Sequence, residues 1–401
     1  MSTSANLHPA DQLAFDKAMV TQPVWNRFNT AAEALELPEN VLLHAGPAFA
    51  AVDDITLPIL NSACVAAVYE GLARDFDQAE AMIRASEILL KPAQDHDVVT
   101  PLAAVVSASM PLHTVYDAWR GTQRIFTPIN GGSRPAMRLG LRSEAVLAHI
   151  RWLNTRFLDV LEKGLAEGMA LVPLAALGLA GGDDCHGRTP VAGAALAAEI
   201  TDRTAERLTD EDALEFLHSS PSLFLNLWMA ATKIMMKLAE GIEGSSFITA
   251  AGGNGREVGI QVSGLPGQWF TTPASPPRGS FDVDLPGTRA LGAIGDSAVV
   301  EAFGLGAMAI ELSPEQKKAQ GAYLPDNAKV RTSGLSVGAH PYFRDLEIRL
   351  GSTARGAVSA GAGPVISLGI LDREGTAGRL GGGIYDMPVA PFADAMEALD
   401  A

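Results

Sequence analysis

No stretch limits the fold more than PSLFLNLWMAATKIMMKLAEG at residues 221–241. Pro221 suits the first position of a helix, Ser220 is placed to cap it, and Gly241 follows where such a helix would end. Apolar side chains run most of the way round, and only Asn226, Ala230, Lys233 and Lys237 form a less apolar stripe. A helix of this kind must be covered on nearly every side, so the chain needs a layered architecture with a large interior. Asn226 and Lys233 should then look into a cleft or along an edge.

The rest of the composition agrees. A chain of 401 residues, 47 % hydrophobic and 19 % charged, can bury more than one core and belongs to the globular class. Its formal charge of −16, with no compensating run of Lys or Arg, opposes binding to nucleic acid or to an anionic membrane surface. The longest strongly apolar patch, residues 169–182, contains Pro173 and is too short for the roughly 20 residues of a membrane span. With 2 cysteines, Cys64 and Cys185, and no apolar core of signal-peptide type near Met1, a reducing cytoplasm is the expected compartment.

Three regions follow from the patterning. Residues 1–142 mix helix-like stretches with short β-like runs such as VLLHAGP and RIFTPI. Residues 143–241 are mainly helical, opening with Ser143 as a cap before SEAVLAHIRWLNTRFLDVLEKGLAEG, with a further helix expected over residues 189–208. Residues 242–401 are Gly-rich and mixed, with VGIQVSG and QWFTTPA resembling a paired hairpin. The fold class expected is α+β, multi-domain, with a helical middle and Gly-rich β segments.

Four places could carry chemistry. In GGNGRE the backbone of Gly253 and Gly255, with Asn254 and Arg256, makes either a tight hairpin turn or a grip on a carboxylate or phosphate; it has neither the phosphate-loop pattern nor the strand-to-helix setting of a dinucleotide fingerprint. In GGDDCHGR, Asp183, Asp184, Cys185 and His186 could each ligate a metal, but neighbouring side chains diverge and no second cluster supports them. A loop whose Asp caps the next helix is the other reading. IGDSAVVEAFG places Asp296 or Ser297 at a helix start, with Glu301 a turn later on the same face. Finally, Asn130, Arg134, Arg138 and Arg142 concentrate cations beside a glycine turn, suited either to an acidic small substrate or to interface salt bridges.

Taken together, LLHAGP, ACVAAVYEGLA, SASMP, NGGSRPAMRLG, GDDCHGR, FLNLWMAATKIMM, IEGSSFITAAGGNGREVGIQVSG, WFTTPA, IGDSAVVEAFGLG and GILDREGTAGRLGGG, in this order, resemble the YlbE-like family, also called AllG-like. The chain departs from that pattern at Gly131, where the family carries an acid, at Cys185, where it carries a bulkier residue, and across residues 309–363. The resemblance implies a subunit of an oxamate carbamoyltransferase in allantoin and purine nitrogen catabolism, converting oxalurate and phosphate to oxamate and carbamoyl phosphate. It implies partners too: an FdrA-like subunit related to acyl-CoA synthetases and a third small subunit, with homo-oligomers also compatible. Placing that chemistry on the matching motifs gives Glu301 and His186 as proton carriers. Substrate would be held by Arg256, Asn254, Gly253, Gly255, Arg134, Asn130, Asn226, Lys233, Asp296 and Ser297, with no metal and no organic cofactor. A non-catalytic scaffold subunit and a metal-dependent amidohydrolase built on GDDCH are the alternatives.

Overall fold

The stretch that leads the sequence argument forms the central helix, Ser222–Lys237, in a computed structural model that describes residues 7–132, 134–165, 167–204 and 209–401. It begins one residue later than expected: Pro221 precedes it, and Ser220 contributes its carbonyl, accepting from Leu223 N–H at 2.9 Å, while its hydroxyl makes no capping bond. Gly241, at φ +78°, closes the turn after the helix. Leu223, Phe224, Leu227, Trp228, Met229, Ile234, Met235 and Met236 are all 0–1 % exposed. Each large apolar side chain so placed contributes roughly 1.5–3 kcal/mol, which makes this helix the organising element of the interior.

Around it lie small antiparallel sheets. One has the strand order Arg124–Pro128, Pro111–Asp117, Pro23–Thr30, Met169–Ala170; a second has Leu265–Pro273, Glu257–Val262, Ile248–Asn254, Ile294–Gly295. The helix packs on both, against Arg124–Pro128 and Pro111–Asp117 of the first and Ile248–Asn254 of the second. A third sheet orders Arg278–Phe281, Arg379–Asp386 and Val365–Leu371, with Gly369 opposite Gly382. The expected hairpin between VGIQVSG and QWFTTPA is present, Ile260 facing Phe270.

A parallel pair also occurs: Val41–His44 runs beside Leu89–Pro92, connected through helices Leu57–Glu70 and Phe76–Arg84. Those helices have their own apolar cluster, separate from the one around the central helix. The fold is therefore mixed α+β and multi-domain. Ser143 caps Glu144–Trp152 by accepting from Val146 N–H, as its position before an amphipathic run suggests. The helix expected over residues 189–208 is seen as Pro190–Thr204; residues 205–208 lie outside the described residues, as do residues 1–6 of the amino-terminal stretch. Among the described residues, no helix is long and apolar enough to cross a membrane.

Candidate active site

The residues GDDCHGR form a loop held by its own acids. Asp183 accepts from Ala192 N–H in the first turn of the next helix, as the capping reading expected, and Asp184 accepts from the N–H groups of His186 and Arg188. Cys185 is buried, its thiol directed at the Ala175 carbonyl, and burial raises its pKa well above that of an ordinary thiol. With each side chain committed elsewhere, the donors do not converge on a point, and no metal-binding cluster occurs among the described residues. The metal-dependent amidohydrolase reading has no ligand set here.

The loop instead delivers His186 to Glu301. His186 Nδ1 lies 2.6 Å from Glu301 Oε1, and the same oxygen accepts from the N–H groups of Ala307 and Ser367. Gly306, at φ +59°, is required next to this pair: a Cβ there would stand 2.2 Å from Glu301 Oε1 and 2.9 Å from His186 Cβ. Burial lifts the Glu301 carboxyl above its usual range; burial alone would lower His186, but the Glu301 carboxylate outweighs it and raises the imidazole. The pair thus holds a proton to higher pH than either group would in water, and titrates as a unit. His186 is 7 % exposed, and its Nε2, which has no partner in the chain among the described residues, belongs to a ring lining a cavity of about 300 Å³.

That cavity gathers groups from distant parts of the chain. Asn130, Ser297 and Asn226 line it together with His186, as expected; so do Arg138, Gln320 and Arg379, which site assignment from the sequence left out. Arg138 donates to Asn130 Oδ1 at 2.5 Å and to the carbonyls of Gly131 and Gly132. No carboxylate pairs with Arg138 and none lines the cavity, among the described residues. Burial first, then the nearby Arg379 charge, pulls the Arg138 guanidinium down to about 10, so it stays cationic at neutral pH. Arg379 sits at the outer side, 49 % exposed and paired with Asp282 at 3.1 Å. Its bed is the glycine pair Gly369 and Gly382, where a Cβ on Gly382 would come 3.2 Å from the Arg379 Nη2. The GGG cluster at residues 381–383 was the available signal for this arginine. The segment 309–363, where the family resemblance weakens, supplies Gln320, which accepts from the Ser367 hydroxyl at 2.7 Å.

The structure places the other expected residues elsewhere. GGNGRE is the turn of a β-hairpin: Gly253 lies within strand Ile248–Asn254, Gly255 has φ +86°, and Asn254 Oδ1 accepts from the N–H groups of Arg256 and Glu257. Those N–H groups are therefore satisfied internally. Arg256 pairs with Asp54 at 2.8 Å and is 58 % exposed, away from the cavity lining. Arg134 pairs with Asp212 and stacks over Trp152 at 4.4 Å. Lys233 does not share a cleft with the GGNGR turn; it is buried in the core, donating to the Thr249 carbonyl at 2.7 Å, and burial lowers its pKa. Asp296 accepts from Gly46 N–H, Gln94 and Thr100, stitching three segments together, with burial lifting its carboxyl to about 6. The helix it precedes, Ala298–Phe303, is a single short turn and a half whose role is to carry Glu301.

An exposed pair such as Arg256 with Asp54 contributes about 0–1 kcal/mol. Arg256→Ala is accordingly expected to shift stability by no more than about 1 kcal/mol and to leave turnover unchanged, which denaturant melts and steady-state rates check together; a large loss of activity would return the turn to the site.

Residues 88–297 match the family model described as oxamate carbamoyltransferase subunit AllG. The chain is 31 % identical over 410 residues to the oxamate carbamoyltransferase subunit AllG of Escherichia coli (strain K12), covering 97 % of each chain. It is 28 % identical to the uncharacterized protein YahG of the same organism, over 96 % of this chain and 84 % of that one. Among solved structures it is similar to a conserved protein of unknown function from Enterococcus faecalis V583, with a TM-score of 0.89 and 26 % identity, covering 98 % of this chain and 97 % of the other.

Proposed function

The chain belongs to the family of the oxamate carbamoyltransferase subunit AllG, and from that premise we propose that its cavity is the substrate site of carbamoyl transfer between oxamate and phosphate. The observation that carries this reading is one of charge: in a chain of net charge −16, a cavity of about 300 Å³ is lined by two guanidiniums, by His186 and, among the described residues, by no carboxylate. Both oxamate and carbamoyl phosphate are small anions, and guanidiniums hold carboxylate and phosphate oxygens by charge-assisted bonds.

The reaction needs little beyond what these residues offer. In the direction of phosphorolysis, a phosphate oxygen attacks the carbamoyl carbon of oxalurate. The C–O bond forms, the C–N bond breaks with its electron pair leaving on nitrogen, and the proton given up by phosphate passes to that nitrogen. His186, its Nδ1 fixed by Glu301, is placed to take and return that proton through Nε2. Arg138 and Arg379 would stabilise the negative charge that develops on the tetrahedral centre.

The same premise supports a role in allantoin and purine nitrogen catabolism, in the cytoplasm, beside an FdrA-like subunit and a third small subunit. The test is a reconstituted complex assayed for oxamate-dependent phosphate release from carbamoyl phosphate. Acetamide, which keeps the amide but lacks the carboxylate, should serve at least about tenfold worse, since one charge-assisted contact is lost. Equal rates with both acceptors, or full activity without this chain, would reject the reading.

A further inference from the structure

The cavity has two unlike ends. At the inner end the first turn of the central helix, Ser222–Lys237, meets Arg138: Ser222, Leu225 and Asn226 line the cavity, and no side chain caps the helix. The N terminus of a 16-residue helix without a side-chain cap carries a partial positive charge, even with its Leu223 N–H taken by the Ser220 carbonyl. Arg138 adds a whole positive charge with no carboxylate partner among the described residues. At the outer end Arg379 already shares its charge with Asp282.

A second observation points to the chemistry of the inner ligand. Asn226, one of the residues lining the cavity, is fully buried; its Nδ2 donates to the Pro128 carbonyl at 3.4 Å, and its Oδ1 has no partner among the described residues. Buried polar atoms are rarely left unsatisfied. A ligand for this end should therefore carry negative charge for Arg138 and the helix, and also one O–H donor for Asn226. A carboxylate has no donor. Monohydrogen phosphate has both.

We infer that the inner end of the cavity, between Arg138 and the N terminus of helix Ser222–Lys237, is the subsite for inorganic phosphate and the phosphoryl group, and that Arg379 at the outer end takes the carboxylate of the acceptor. The charge count agrees: a dianion matches a full guanidinium plus a helix terminus, and a monoanion matches a guanidinium that is half neutralised. The assignment rests on the carbamoyltransferase reading for the identity of the two anions.

The experiment is calorimetric titration of the full chain with inorganic phosphate alone and with oxamate alone. Arg138→Gln should weaken phosphate by about tenfold or more, the loss of a charge-assisted contact. Ser222→Asp should do the same while favouring the helix, since an acid in the first turn stabilises it; this variant keeps the test open even if Arg138→Gln folds poorly. Arg379→Gln should weaken oxamate and change phosphate by less than about twofold. Phosphate binding that ignores both Arg138→Gln and Ser222→Asp, or that falls equally with Arg379→Gln, overturns the subsite assignment while oxamate binding keeps the functional reading. A wild-type chain that binds neither anion overturns both.

Discussion

Replacing His186 by Asn is expected to lower turnover of the assembled enzyme by about 10²–10⁴-fold, the usual contribution of a positioned general acid or base, without unfolding the chain. The amide of Asn occupies the place of Nδ1 and can still donate to Glu301 Oε1, so the buried carboxylate keeps a partner. What disappears is Nε2, the ring nitrogen that Glu301 does not hold. Glu301→Gln is the companion test. Its amide oxygen can still accept from His186, Ala307 and Ser367, but its charge is gone. Burial pulls the His186 imidazole down and the Glu301 carboxylate is the main group that raises it, so removing that charge leaves burial opposed only by the smaller effect of Asp184, and the pKa must fall. The limb of the pH–rate profile governed by His186 should therefore move to lower pH in Glu301→Gln, whichever protonation state is the working one. Profiles of kcat/KM for both variants decide the matter: a His186→Asn enzyme of normal speed, or a limb that stays in place without Glu301, removes this pair from the chemistry.

Local features of this fold were legible because local physics decides them. The central helix announces itself by an apolar surface that only a buried helix could use, and Ser143 by its place before an amphipathic run. The meeting of Glu301 with His186 does not announce itself, since 115 residues separate them and nothing in either motif names the other. The arginines show the limit most clearly. Arg134, Arg138, Arg142 and Arg256 look equivalent in the sequence, yet Arg134 is taken by Asp212, Arg142 by Glu80 and Arg256 by Asp54, and of the four only Arg138 has no carboxylate partner among the described residues. Which cation has a counter-ion is a property of tertiary contact. The same holds for GGNGRE, whose donors are consumed by Asn254 within its own turn. The glycines that do serve the cavity, Gly306 and Gly382, serve it indirectly, one by making room for the His186–Glu301 pair and the other by giving Arg379 a flat bed.

Arg138→Ala should cost the enzyme about tenfold to a hundredfold in kcat/KM, because a hydrogen bond to a charged partner is worth roughly 1.5–3 kcal/mol and the guanidinium has no carboxylate partner among the described residues. The loss should appear mainly with phosphate or carbamoyl phosphate as the varied substrate, with the KM for oxamate changed much less. Part of the effect will be positional, since Arg138 also ties Asn130, Gly131 and Gly132 together, and removing it frees that turn. Arg138→Lys separates the two contributions. An ammonium restores the charge but not the planar fork, so it cannot hold three acceptors and a ligand at once, and rescue should be partial. Arg134→Ala provides the contrast: it loses an ion pair with Asp212 and the stacking on Trp152, both outside the cavity, and should lower the melting temperature more than it changes any kinetic constant. If Arg134→Ala proves the kinetically damaging change and Arg138→Ala the harmless one, the anion is held elsewhere and the cavity is not the site of transfer.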